Sequence, residues 1–294
     1  MRLANIAGPS GPVFAVHAGD GWLPLQHDGD RPVDLATAIA MVHDAAGSTT
    51  VGEALPEPAA HEFGCPLVRP GKIVAAGANY LAHAQEAGLQ RPPRPFLFAK
   101  YPSSLNTSTG DIRWDSALTS ELDYEGELAV VNGRPCHHVS EEDALDFVFG
   151  YAVANDVSAR DLQRADGQLS RSKSMDTFCP IGPWIATADE VPDPQDIRVT
   201  TRVNDEVRQD ASTADMIFSV RELVSYLSLS MTLEPGDVIL TGTPDGTALG
   251  FDPPRFLTAA DVVRCEIEGL GTVENRVVDA PSPASAGPAF MHCS

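Results

Sequence analysis

Residues 122–131 read LDYEGELAVV. In an extended strand, residues two apart point the same way. Leu122, Tyr124, Leu128 and Val130 then share one face, and Asp123, Glu125, Glu127, Ala129 and Val131 share the other. Acidic side chains usually sit in water, so a solvated face is one reading. Ala129 and Val131 continue the same row, however, and such residues favour a covered face. If the face is covered, Glu125 and Glu127 repel each other and need a proton, a cationic neighbour or a metal ion.

A third carboxylate extends this choice. GYAVANDVSARD (150–161) reads as a strand that ends at Asn155-Asp156 and enters a turn. Asp156 either caps that turn, as Asp commonly does, or joins Glu125 and Glu127 in a metal site. Three oxygen anions without His or Cys suit a hard cation: Mg²⁺, with Mn²⁺ or Ca²⁺ as alternatives. The chain has 20 Lys plus Arg, of which only Lys72, Lys100 and Lys173 are lysines. In a chain that writes its positive charge as arginine, a lysine suggests chemistry. Lys100, Lys173 and Arg160 are the candidates for cations beside the carboxylates.

His83 and Glu86 lie three apart on a short helix-like run, so their side chains can meet. They form either a surface ion pair or a dyad in which glutamate orients histidine to take a proton. The RPPRP stretch at 91–95 places them beside a loop that could act as a lid. Lys173 also has Asp176 close by for a loop salt bridge. Cys179 has no histidine partner in sequence and reads as core.

The 294 residues allow one large domain or two, and 43% hydrophobic content supports a sizeable core. A net charge of −21 argues against nucleic acid and anionic membranes as partners. No apolar run reaches membrane-spanning length. Five cysteines without a CxxC pair favour reduced thiols, and a cytoplasmic protein is expected. Residues 1–69 read as a small N-terminal α+β domain, with a helix in VDLATAIAMVHDAA (33–46) and a Pro- and Gly-rich passage at 53–71. Residues 70–280 read as a strand-rich domain, with 281–294 as a tail. Asn79 is expected to cap the helix YLAHAQEAGL. Ser140 to Asp143 is expected to open a helix in DALDFVF. Met216, Val220, Leu223, Val224 and Leu227 predict an amphipathic helix over 213–231. CEIEGLGTVENRVV (265–278) predicts a closing hairpin.

GANYLAHAQE, FLFAKYPSSL, LDYEGELAVV, GYAVANDVSARDLQ, SKSMDTFCPIGPW, LEPGDVILTGTP and EIEGLGTVEN, in this order from about Lys72 to Val278, resemble the fumarylacetoacetate hydrolase family. The resemblance implies an α+β, mainly β fold, a mixed β-roll or sandwich, assembled as a homodimer. It implies Glu125, Glu127 and Asp156 as ligands of one divalent cation, usually Mg²⁺. It makes His83 and Glu86 a water-activating dyad and Lys173 the active-site lysine. Substrate contacts are expected from Tyr80, Lys100, Arg160, Gln163 and Thr243. The implied substrate is a small 2-oxo or β-diketo acid such as an acylpyruvate. The implied reaction is hydrolytic C–C cleavage through an enolate, with decarboxylation, tautomerisation or isomerisation, and hydration as alternatives on the same scaffold. Asn204-Asp205 and Ala260-Asp261 depart from the Asn-Gly and Gly-Asp that relatives often carry.

Overall fold

The computed structural model describes residues 1–8, 11–17, 19, 21–26, 33–43 and 52–280. Cys293, the tail and the end of the first helix-like run lie outside the described residues.

Among these, the chain builds two large open β-sheets laid face to face and a two-stranded ribbon, Leu122–Asp123 paired with Ser158–Ala159, with short helices at their margins. The expected strand 122–131 is thus broken into Leu122–Asp123 and Gly126–Asn132. The larger, ten-stranded sheet runs in the order Trp22–Pro24, Gly11–His17, Arg2–Gly8, Cys179–Thr187, Val148–Asn155, Gly126–Asn132, Val238–Leu240, Ile73–Gly77 and Phe96–Lys100, with Leu105–Asn106 beside Cys179–Thr187. The smaller sheet orders Glu206–Ser212, Arg198–Val203, Val262–Ile267, Gly271–Asp279 and Ile112–Trp114. Its Val262–Ile267 and Gly271–Asp279 strands are the expected hairpin. The first three strands extend the large sheet, because Arg2 and Leu3 pair with Ala186 and Ile185.

Strand alternation divides the core. Leu128, Val130 and Val153 face the smaller sheet and pack with Val199, Val263 and Val273. Ala129, Val131 and Ala152 face the other way and pack with Phe14, Val16 and the helix Leu35–His43 through Leu35, Ile39 and Val42. The row that begins with Glu125 and Glu127 therefore runs into a covered core, and both glutamates are buried. Gly126, between them, faces the smaller sheet. A Cβ there would stand 2.2 Å from Thr201 Oγ1, so a side chain would force the sheets apart.

Three expected helices come out differently. The amphipathic run at 213–231 contains an α-helix only at Val220–Ser228, capped by Ser219 with Glu222 closing the box. Residues before it form the 3₁₀ turn Thr213–Asp215, and Met216 bridges to Tyr80. Ser140 and Asp143 do bond each other, but they lead into a 3₁₀ turn, Ala144–Phe147, before the strand begins at Val148. The helix Leu81–Glu86 has no side-chain cap. Asn79 instead donates to the carbonyls of Phe218 and Thr241 and accepts from Phe218 N–H.

Both departures noted at turns fall on left-handed backbone: Asn204 has φ of 54° and Ala260 has φ of 75°. Asparagine tolerates this region, whereas alanine pays for its Cβ. Ala260→Gly should raise unfolding stability by about 1 kcal/mol, less the entropy that glycine adds to the unfolded chain, read from urea midpoints.

Candidate active site

Antiparallel pairing creates the site. Ala154 pairs with Glu127 and Asn155 with Gly126, so Asp156 arrives opposite Glu125. Its N–H donates to the Glu125 carbonyl at 2.8 Å. Opposite residues share a face of a sheet, and so do residues two apart. Glu125, Glu127 and Asp156 therefore converge, with one oxygen from each within 4.8 Å of the others. All three are buried.

Three cations surround them. Lys173 Nζ donates to Glu125 Oε2 at 2.6 Å and to Asp156 Oδ2 at 2.8 Å, and Asp176 takes no part. Arg160 NH2 donates to Glu125 Oε1 at 2.5 Å, Nε to Asp123 Oδ2 at 2.8 Å and NH1 to Gln163 Oε1 at 3.2 Å. Lys100 Nζ donates to Asp156 Oδ1 at 2.5 Å and to the carbonyls of Lys173 and Phe178. Burial opposes ionisation of Glu125, but Lys173 and Arg160 overcome it and hold the carboxyl far below its usual range. Burial also opposes the charge on Lys173, and Asp156 and Glu125 reverse that.

Glu127 is the exception. Its Oε2 accepts only the Gly242 N–H, at 2.8 Å, and no side-chain cation bonds it among the described residues. Burial, then the charges of Asp156 and Glu125, push its carboxyl well above the usual range. Gly242 is left-handed, with φ of 93°, and a Cβ there would meet Asn79 Cβ at 2.7 Å, so the turn presenting that N–H needs glycine. Asp123 Oδ1 accepts Ala248 N–H at 2.7 Å and completes the group. With Glu127 ionised, four carboxylates and three cations leave one negative charge in excess. A hard divalent cation fits this all-oxygen donor set, relieves Glu127 and reverses the net sign toward one that attracts an acid.

A cavity of about 600 Å³ opens onto these groups, lined among others by Glu125, Glu127, His83, Arg160, Gln163, Lys173 and Thr243. His83 Nδ1 lies 3.2 Å from Glu86 Oε2. Glu86 is braced in turn by Gly246 N–H at 2.9 Å and the Thr247 hydroxyl at 3.2 Å. Burial would raise its carboxyl, but the bonds from His83 and Gly246 draw it below the usual range. An ionised Glu86 fixes Nδ1–H as donor and leaves Nε2 as the acceptor.

The remaining candidates take other places. Lys100 is fully buried and lies behind Asp156, outside the cavity wall, because its ammonium is consumed by three acceptors. Tyr80 is also buried and lies outside that wall. Thr243 lines the cavity, yet its hydroxyl donates to the Gly126 carbonyl and accepts from Gln209 Nε2. Gln209 also receives the Gly126 N–H, so it clamps the segment between the two glutamates. Gln209 carries no local signal in the sequence. Asp123 does, as a third acid at the same alternate spacing, although it lies on the separate short strand Leu122–Asp123. Burial pushes the Cys179 thiol up to about 12, which leaves it a core residue.

The family model of the fumarylacetoacetate (FAA) hydrolase C-terminal domain matches residues 72–278, which contain every residue of this site. The chain belongs to the fumarylacetoacetate hydrolase family. Within that family it is 46% identical over 216 residues to oxaloacetate tautomerase YisK of Bacillus subtilis, covering 72% of this chain and 71% of that protein. It is 37% identical over 289 residues to the mitochondrial oxaloacetate tautomerase FAHD2A of Bos taurus, covering 95% and 92%. The crystal structure of 2-hydroxyhepta-2,4-diene-1,7-dioate isomerase from Mycobacterium marinum superposes with a TM-score of 0.77 at 36% identity, over 96% of this chain and all of that one.

Proposed function

We propose that the protein is a divalent-metal-dependent tautomerase that interconverts the keto and enol forms of a 2-oxo acid, with Mg²⁺ as the metal. The observation that carries this reading is the three-carboxylate cluster in one cavity with an imidazole oriented by a half-buried glutamate. Glu125, Glu127 and Asp156 would hold the cation, which when bound would supply the Lewis acidity that makes the C3–H of a 2-oxo acid more acidic. His83 Nε2 accepts that proton, and Glu86 stabilises the imidazolium through Nδ1. Returning the same proton to the enolate oxygen yields the enol, so no co-reactant is consumed. Lys173 and Arg160 hold Glu125 ionised throughout and favour an anionic substrate at the cavity floor.

The tautomerase names of the relatives support this reading over the C–C hydrolysis that the sequence favours. Hydrolysis is the second reading, because the same dyad can activate water against a distal carbonyl. A homodimer in solution forms part of the proposal. Proton NMR in D₂O tests it. A tautomerase exchanges C3 protons of oxaloacetate or a related 2-oxo acid only with Mg²⁺ present, and cuts no C–C bond. Two fragments from an acylpyruvate, with no exchange catalysis on any simple 2-oxo acid, would reject it in favour of the hydrolase.

A further inference from the structure

We infer that the preferred substrate is a monoanionic 2-oxo acid with an apolar, aryl-sized group on C3, rather than a dicarboxylate. This deepens the tautomerase reading and rests on it. The cavity is strongly polarised. Its charged residues crowd the floor around the three-carboxylate cluster, whereas the rest of its wall includes Leu89, Phe96, Phe98, Leu169 and Leu249. Phe98 sets its ring 5.2 Å from Lys173 Nζ, so an aromatic surface begins directly beside the charged floor. Phe96 lies across Gly77, where a Cβ would stand 2.8 Å from its ring. Leu89 and Phe96 are each about half exposed, at 54% and 53%, and so have apolar surface to bury.

The cations decide the charge of the ligand's tail. Arg160 and Lys173 are the arginine and lysine side chains in the cavity wall among the described residues. Arg160 already spends Nε, NH1 and NH2 on Asp123, Gln163 and Glu125. Lys173 is held between Glu125 and Asp156. A second carboxylate on the substrate would find only the neutral side chains of Gln163, Gln168 and Ser170 among the leucines and phenylalanines, and an anion with no cationic partner against apolar surface is disfavoured. A phenyl or branched alkyl group would gain the burial of that surface. The cavity also exceeds the needs of a four-carbon acid. Arg91 and Arg94 stand in the exposed stretch between Leu89 and Phe96, outside the wall, where water screens them.

The test pairs turnover with binding on the Mg²⁺-loaded protein. Phenylpyruvate should exceed oxaloacetate in kcat/KM for tautomerisation by about tenfold or more. Benzoylformate and ketomalonate share the 2-oxo acid head and have no C3–H, so calorimetry reads their binding without turnover. Benzoylformate should bind about tenfold more tightly. Leu89→Arg, a change at an exposed position, should move both ratios toward the dicarboxylate. Equal or reversed preference overturns the inference, as does failure of both probes to bind. A reversed preference that disappears in Arg91→Ala or Arg94→Ala assigns tail recognition to the loop instead. Tight benzoylformate binding without tautomerisation of either acid keeps the pocket assignment and rejects the tautomerase reading.

Discussion

Glu127→Gln is expected to lower tautomerase kcat/KM by about 10³-fold or more, the loss of several kcal/mol of Lewis-acid stabilisation, while making the metal-free protein more stable. The two effects share one cause. Glu125 and Asp156 each have cationic side chains within hydrogen-bond distance, whereas Glu127 has a single backbone N–H. Its carboxyl is therefore raised in the folded protein. A carboxyl that binds its proton more tightly when folded makes stability fall as pH rises, from the ordinary glutamate range up to the raised value. Above that window wild-type protein carries the full penalty, and glutamine carries none. Thermal melts in EDTA should show the variant higher near neutral pH, with the gap closing at low pH. Saturating Mg²⁺ should raise the wild-type Tm and leave the variant's almost unmoved. A variant that is less stable in EDTA at neutral pH, yet still binds Mg²⁺ in calorimetry, would show that Glu127 is not the group that requires the cation.

The site is legible in the sequence where its chemistry lies within one short stretch, even though the structure breaks that stretch into the strands Leu122–Asp123 and Gly126–Asn132. The alternation of LDYEGELAVV already places Asp123, Glu125 and Glu127 on the row that Ala129 and Val131 bury. No local pattern contains the register that sets Asp156 opposite Glu125, since strand pairing is a long-range property. Lys100 illustrates the same limit. Its identity stands out in an arginine-rich chain, but its burial rests on acceptors from Asp156, Lys173 and Phe178, each far away in sequence. Asn79 and Met216 mislead a sequence reading because side chains with helical credentials find tertiary partners. Met216 packs into the same core as Val220 and Leu223, so the apolar period continues through a segment where the backbone is not α-helical. The strand-rich domain is readable because its motifs run through buried strands. The continuity of residues 2–17 with the large sheet depends on pairing to Ala186 and Ile185, which no spacing within the first seventy residues reveals.

His83→Asn should reduce kcat by about 10²–10⁴-fold, the range typical of losing a positioned acid or base, with Mg²⁺ affinity within error of wild type. His83 bonds Glu86 and lies outside the carboxylate cluster, so removing the ring leaves the donor set intact. Glu86→Gln should fall between, about 10- to 100-fold, because it leaves His83 in place but removes the charge that stabilises the imidazolium. Glu86 is held below the usual carboxylate range, so mild acid will not discharge it, and the variant is the way to reach the neutral state. Exchange of C3 protons in D₂O separates this role from a structural one. In His83→Asn the exchange should fall in step with kcat, while KM for the 2-oxo acid stays within about threefold, since the carboxylate and 2-oxo oxygens are held elsewhere. A large rise in KM with exchange at the wild-type rate would make His83 a wall of the cavity, and would return the search for the base to Lys173. That lysine begins from the weaker position, because its ammonium is pinned between two carboxylates that keep it protonated.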